Sequence, residues 1–204
     1  MKKLLLLLLS LALTHTMQSQ RMSSSKKAIV ASVEAHKDKL IAISDSIWAL
    51  AETAFEEDDS AEILASYAEQ NGFTVQRGVA GMPTAFVATY GSGRPVISVL
   101  GEFDALPGIS QKAQPTKSPL NDGAAGHGCG HNLFGAGSLG AAIAVKEMIE
   151  SGKIKGTVKF FGTPSEEKYF GKIWMVREGL WDDVDANVSW HPGPNTEADV
   201  QSLS

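Results

Sequence analysis

Cys129 is the only cysteine of the chain, and it lies between two histidines in Gly126-His127-Gly128-Cys129-Gly130-His131. A thiolate and a neutral imidazole are good ligands for a borderline-soft divalent metal. A single cysteine cannot close an internal disulfide. Three meanings are therefore open: a metal ligand, a nucleophile, or a small buried hydrophobe. Three other polar features carry chemistry, namely Asp104, the adjacent carboxylates Glu166 and Glu167, and His191. Alone, each has a plainer reading. Asp104 can cap a turn, the two glutamates can open a solvated helix where acids favour the macrodipole, and His191 before Pro192 can be a turn residue. Together they supply sulfur, nitrogen and oxygen donors for a divalent cation. Successive residues point in different directions, so one glutamate can bind metal while its neighbour handles a proton. A divalent cation acidifies water toward a pKa of about 7, and a nearby carboxylate can take the proton.

The competing chemistries fit less of the sequence. A cysteine nucleophile paired with histidine leaves Asp104, Glu166 and Glu167 without a role. No Gly-x-Ser-x-Gly elbow supports a serine hydrolase. The segment Gly135-Ala136-Gly137-Ser138-Leu139-Gly140 has the glycine spacing of a dinucleotide-binding turn, but no apolar strand precedes it. That strand is required, so close helix packing explains these glycines better. His127 is open between ligand, ligand support and loop residue. His36, in the charged run Glu34-Ala-His-Lys-Asp-Lys, is expected to be solvated.

The elements that must hold these residues follow from periodicity. Apolar residues recur at helical spacing over 27–55, and a second helix is expected over 60–70 with Ser60 as its cap and Glu62 and Glu69 facing solvent. Strands are expected over 73–77, 85–90, 96–101, 157–161 and 186–190. The run Val96-Ile97-Ser98-Val99-Leu100 is nearly continuous and apolar, as for a strand covered on both faces. Residues 107–128 read as a long loop, 133–149 as a tightly packed helix and 168–178 as another helix. Alternating strands and helices indicate an α/β fold. Asp104, Cys129 with His131, Glu166 with Glu167, and His191 all fall at strand ends or in adjoining loops, where ligands bind in open α/β sheets.

Composition bounds the rest. Hydrophobic residues make up 43% and charged residues 20% of 204 residues, with a formal net charge of -5. No basic stripe points to nucleic acid. The N-terminus begins Met1-Lys2-Lys3, continues as a leucine-rich run and turns polar at Thr14. Residues 1–20 are expected to be a signal peptide and the protein exported to the periplasm or beyond. The run is too short for a stable membrane anchor, which needs about 20 apolar residues. Residues 21–204 then read as one domain.

The segments Gly101-Glu-Phe-Asp-Ala-Leu-Pro107, Gly126-His-Gly-Cys-Gly-His-Asn132 and Gly162-Thr-Pro-Ser-Glu-Glu167 resemble the M20 metallopeptidase superfamily. They look most like its amidohydrolase branch of aminoacylase-like, auxin-conjugate and aminobenzoyl-glutamate hydrolases. Asn132, where many members have Asp, resembles the aminobenzoyl-glutamate group. The resemblance implies a zinc-peptidase-like catalytic domain, with a mostly parallel sheet flanked by helices. It implies Cys129, His131, Glu167 and His191 as ligands of two divalent ions, Mn or Zn. It also implies Glu166 as general base and acid, with Asp104 supporting the ligands from behind. The implied reaction is hydrolysis of the amide bond of a small N-acyl amino acid or peptide. Members of the family are considerably longer, with an inserted lid and dimerisation domain and one more histidine ligand downstream. The 204-residue chain is thus expected to correspond to the N-terminal half of a homo- or hetero-oligomeric enzyme and to be inactive alone. The other expectation is a truncated, non-catalytic chain that binds metal or a partner without turnover.

Overall fold

In the computed structural model, which describes residues 22–193 and Asn195, the five expected strands form one sheet. They are β1 Thr74–Arg77, β2 Phe86–Ser92, β3 Val96–Gly101, β4 Gly156–Gly162 and β5 Ala186–Val188, in the spatial order β1-β2-β4-β3-β5. β1 with β2 and β2 with β4 pair antiparallel, while β4 with β3 and β3 with β5 pair parallel. The ladder is mixed, yet four strands run one way and only β2 opposes them. The expected α/β sheet, mostly parallel in direction and flanked by helices, is thus present.

Phe160 and Phe161 show why the sheet is covered twice. Consecutive strand residues face opposite sides, and both rings are fully buried. Phe160 joins Ile47, Leu64, Phe86, Phe103 and Leu139 in one cluster. Phe161 joins Met82, Leu100 and Met175 in the other and stacks on Trp181 at 4.2 Å. The first layer is built by α1 Ser24–Leu50, α2 Asp58–Gln70 and α3 His131–Glu150. α3 lies close to the end of β3 on one side and to α1 on another because it is glycine-rich. A Cβ on Gly135 would stand 2.9 Å from the Glu102 carbonyl oxygen, and one on Gly140 2.7 Å from a Leu40 methyl. The packing explanation of these glycines is therefore the right one.

Several boundaries differ from expectation for local reasons. α1 ends at Leu50 rather than Phe55, because Ala51 turns left-handed with φ 46. Ser60 does not cap α2. The helix starts at Asp58 with Glu57 as its N-cap, and Ser60 sits inside the first turn, its amide bonded to Glu52 at 2.8 Å. Glu62 and Glu69 do face solvent, where both pair with Arg77. The single helix expected over 168–178 is two, α4 Glu166–Tyr169 and α5 Gly171–Arg177, broken at left-handed Phe170. β5 stops at Val188, short of Trp190. His36 is half-buried rather than solvated, with its ring between the Tyr67 hydroxyl at 2.6 Å and Glu147 at 3.1 Å. It ties the three helices of that layer together.

Register then places the polar residues. In the parallel β3–β4 pair Gly101 stands opposite Gly162, so both strands end flush. Thr163 seals the edge by donating its amide and its hydroxyl to the Gly101 carbonyl, at 3.0 and 3.2 Å. β5 runs parallel to β3 and exits at the same edge. Residues 102–104, 163–167 and 189–191 therefore leave the sheet side by side. The expected signal peptide at 1–20 lies outside the described residues. Among those residues no helix is long and apolar enough to cross a membrane.

Candidate metal centre

His131 is the first residue of α3, fully buried, and follows Gly130 at φ 80. The glycine is needed twice over, since a Cβ there would also press on the Pro192 ring at 3.1 Å. His131 Nδ1 lies 2.9 Å from Asp104 Oδ1. An ionised carboxylate only accepts hydrogen bonds, so Nδ1–H donates and Asp104 fixes the tautomer. When the ring is neutral, as a metal ligand must be, the Nε2 lone pair then faces the cluster. Nε2 is buried without a hydrogen-bond partner. It stands 2.9 Å from Glu102 Oε2, too misaligned to be a hydrogen bond, and 4.0 Å from Glu167 Oε1. The other oxygen of Asp104 accepts the Glu167 amide at 2.9 Å. Asp104, itself 1% exposed, thus sits behind both residues and bonds to each.

His191 comes from the end of β5. Its Nδ1 donates to the Pro192 carbonyl at 2.9 Å, and its Nε2 accepts from Cys129 Sγ at 3.4 Å. The rings of His131 and His191 meet edge to face, 5.5 Å apart. Trp190 steadies this segment through Nε1–H to the Ser138 hydroxyl at 3.0 Å.

The donor atoms of Cys129, His131 and His191 all lie within 4.8 Å of one another. A second group with the same spacing comprises Glu102, His131 and Glu166, so His131 is common to both. Glu167 is outside these two groups, but its Oε1 is buried without a partner beside them. The structure thus gathers all the residues expected to bind metal or catalyse, and adds Glu102. Sequence reading gave Glu102 no role, yet a signal was present. In Glu102-Phe103-Asp104 the two acids share one side of an extended segment, while Phe103 is buried in the core. The carboxylate of Glu102 is buried and paired with Lys172. His127 belongs to neither group. Its Nε2 donates to the Ile47 carbonyl at 3.0 Å and so holds the end of α1.

The electrostatics describe a cavity built for positive charge. Burial opposes a charge on His131, but the hydrogen bond to Asp104 and the nearby Glu102 carboxylate outweigh it and raise its pKa to about 10. Burial, then the carboxylates of Glu167, Glu166 and Glu102, pushes the Cys129 thiol up to about 11. Without a cation the thiol stays protonated, which is the opposite of an activated nucleophile. A coordinating cation deprotonates a thiol outright. Burial also raises Glu102, but the adjacent His131 ring and the bond from Lys172 bring it below the usual carboxylate range. Soft and hard donors, two unpartnered buried donor atoms and surplus carboxylate charge fit divalent metal. A cleft of about 290 Å³ borders the cluster, lined by Thr53, Ala54, Ala105, Pro107, Glu167 and Lys168. A roomier groove of about 670 Å³ between α1 and α2 holds no such donor set.

An α/β sheet that delivers thiol, imidazole and carboxylate donors to one edge is the scaffold of a metal-dependent hydrolase. The chain belongs to peptidase family M20/M25/M40, whose sequence profile matches residues 99–202. It is 53% identical over 163 residues to one of the component chains of the Escherichia coli p-aminobenzoyl-glutamate hydrolase, covering 78% of this chain and 34% of that protein. It is 29% identical over 192 residues to the mouse Xaa-Arg dipeptidase, covering 85% of this chain and 39% of that one. Among solved structures it resembles a dinuclear metal-binding M20 peptidase of Bacillus subtilis, with TM-score 0.68 and 26% identity over 79% of this chain and 44% of the other. A Klebsiella pneumoniae aminobenzoyl-glutamate utilization protein shares the fold, with TM-score 0.59 and 19% identity over 81% of this chain and 46% of that one. The chain spans little more than a third of the length of these two curated relatives.

Proposed function

We propose that this chain carries the metal-binding segment of an amidohydrolase that cleaves the amide bond of N-acyl amino acids, with aminobenzoyl-glutamate-like or dipeptide-like substrates. One observation carries the reading: Cys129, His131 and His191 converge within 4.8 Å beside the buried, unpartnered oxygen of Glu167. The likeness to the p-aminobenzoyl-glutamate hydrolase chain supports the substrate class. Cys129, His131, Glu167 and His191 would hold two divalent ions, Mn or Zn, with Glu102 beside them. When bound, such ions polarise a carbonyl and acidify water.

The protein's own groups do the rest. Asp104 keeps the His131 ring in the tautomer that presents Nε2. Glu166, half-exposed at the start of α4, takes a proton from the attacking water and passes it to the leaving amine. Ala54, Ala105 and Pro107 line the cleft with apolar surface for the acyl part. The expected inactivity of the 204 residues alone belongs to the same proposal, since the match covers 34% of the Escherichia coli protein. Export through residues 1–20 remains a proposal of its own, which fractionation of expressing cells would check.

The test is calorimetric titration of the purified chain with Zn²⁺ and Mn²⁺, followed by an assay of p-aminobenzoyl-glutamate cleavage. Binding that is lost in His131→Ala is expected, with little or no turnover by the chain alone. Absence of binding would sink the metal reading, and brisk metal-dependent turnover would sink the expected inactivity.

A further inference from the structure

Glu57 is fully buried, although it stands at the start of a surface helix. As the N-cap of α2 its carboxylate should turn back onto the first helical amides, but it makes no such bond. Instead Oε1 accepts the amide of Ser165, 108 residues away, at 2.8 Å. Oε2 accepts the Thr84 hydroxyl at 3.2 Å. Burial is the main reason its carboxyl is raised to about 7. A buried acid is a costly device for fold alone.

The amide it holds belongs to a strained residue. Ser165 is left-handed, with φ 55 and ψ 41. For a non-glycine residue that costs about 1 kcal/mol or more. Its own hydroxyl cannot hold the turn, being buried without a partner. Glu166 and Glu167 follow at once. The next anchor is the Glu167 amide on Asp104 Oδ2, at 2.9 Å. Two buried carboxylates, Glu57 and Asp104, therefore clamp the backbone on either side of Glu166.

We propose that Glu57 is a positioning residue: by holding the Ser165 amide it sets the turn at 164–167 and aims Glu166 and Glu167 into the metal cluster. This rests on the reading of those two glutamates given above. A cap role alone would leave the side chain free, and a purely structural role would not single out a left-handed residue next to the paired acids.

Two variants of the full chain test it. Glu57→Gln keeps an acceptor for Ser165, and Glu57→Leu removes it. Amide exchange by NMR reads the turn, and Zn²⁺ calorimetry reads the cluster. In Glu57→Leu the Ser165 and Glu167 amides are expected to exchange at least roughly tenfold faster, while β4 amides change by less than about threefold. Zn²⁺ affinity should fall by roughly 10-fold or more, as when support behind a ligand is lost, and Glu57→Gln should restore both readouts. Unchanged exchange at Ser165 and Glu167 in Glu57→Leu overturns the proposal. So does a loss spread evenly through β4, or a Gln variant as impaired as Leu. If the wild-type chain binds no Zn²⁺, the metal reading fails, and the exchange data still decide the role of Glu57.

Discussion

Asp104 accepts the Nδ1–H of His131 at 2.9 Å, and both side chains are shut away from solvent. The contact joins the exit of β3 to the first residue of α3 and turns the free nitrogen of the ring toward Cys129, His191 and the carboxylates. Because the other oxygen of Asp104 holds the Glu167 amide, one side chain orients two candidate ligands. Asp104→Ala should therefore weaken Zn²⁺ binding by about 10–100-fold with the circular dichroism of the helices kept. Competition against a chelator measures it, and unchanged affinity would refute the orienting role.

Cys129 offers a separate test through its reactivity. Its thiol is pushed up to about 11 by burial and by the surrounding carboxylates. Alkylation of the metal-free chain should be slow at pH 7 and rise steeply only in the alkaline range. Cys129→Ser should lower metal content and abolish the thiolate charge-transfer band of a Co²⁺-loaded sample. An alkylation midpoint below about pH 8 would instead favour an activated nucleophile.

The metal-free chain should lose stability as pH rises. Burial works against a charge on His131, but the bond to Asp104 and the nearby Glu102 carboxylate raise its pKa from 6.5 to about 10. A group raised in the folded state stabilises fully below its unfolded pKa, and that contribution is lost as pH climbs through the folded value. The melting temperature of metal-free protein should thus decline between about pH 6.5 and 10. His131→Ala should flatten the decline. A slope that survives this substitution would place its origin elsewhere.

Glu57 gives the same sign in a lower window. Burial raises its carboxyl from 4.5 to about 7, so its contribution is present below 4.5 and lost through 7. Glu57→Gln, which cannot ionise, should gain stability relative to wild type across that interval. Paired urea denaturation at pH 4.5 and pH 8 would show it, and a constant difference would mean that Glu57 does not titrate in the folded chain.

The core prediction concerns Phe160, fully buried against Phe86 at a ring distance of 5.7 Å. Phe160→Ala should cost about 3–5 kcal/mol in reversible urea unfolding. A loss below about 1 kcal/mol would mean that the site collapses around the missing ring.

What could be read along the chain was what depends on near neighbours. The apolar run of β3 marked a doubly covered strand, because burial on both faces leaves no room for polar alternation. The donor types at Asp104, Cys129, His131, Glu166, Glu167 and His191 were legible because strand ends collect polar residues in this fold class, and the M20 motifs placed them in order. Local pattern could not foresee the breaks at Ala51 and Phe170, both left-handed at residues that do not favour it. Nor could it see that His36, in a run of charges, would be drawn between Tyr67 and Glu147.

By itself, then, the sequence determined the fold class, the chemical nature of the donors and the edge of the sheet where they belong, since periodicity and residue type suffice for these. Only the tertiary structure decided how the donors are held. Flush ends at Gly101 and Gly162 put two loops side by side. Asp104 fixed one ring nitrogen of His131 and freed the other. Glu102 entered the cluster, and Glu57 reached across 108 residues to the turn before the paired glutamates. Those arrangements depend on register and on buried contacts between distant segments, where a few tenths of an ångström separate a hydrogen bond from an unpartnered atom.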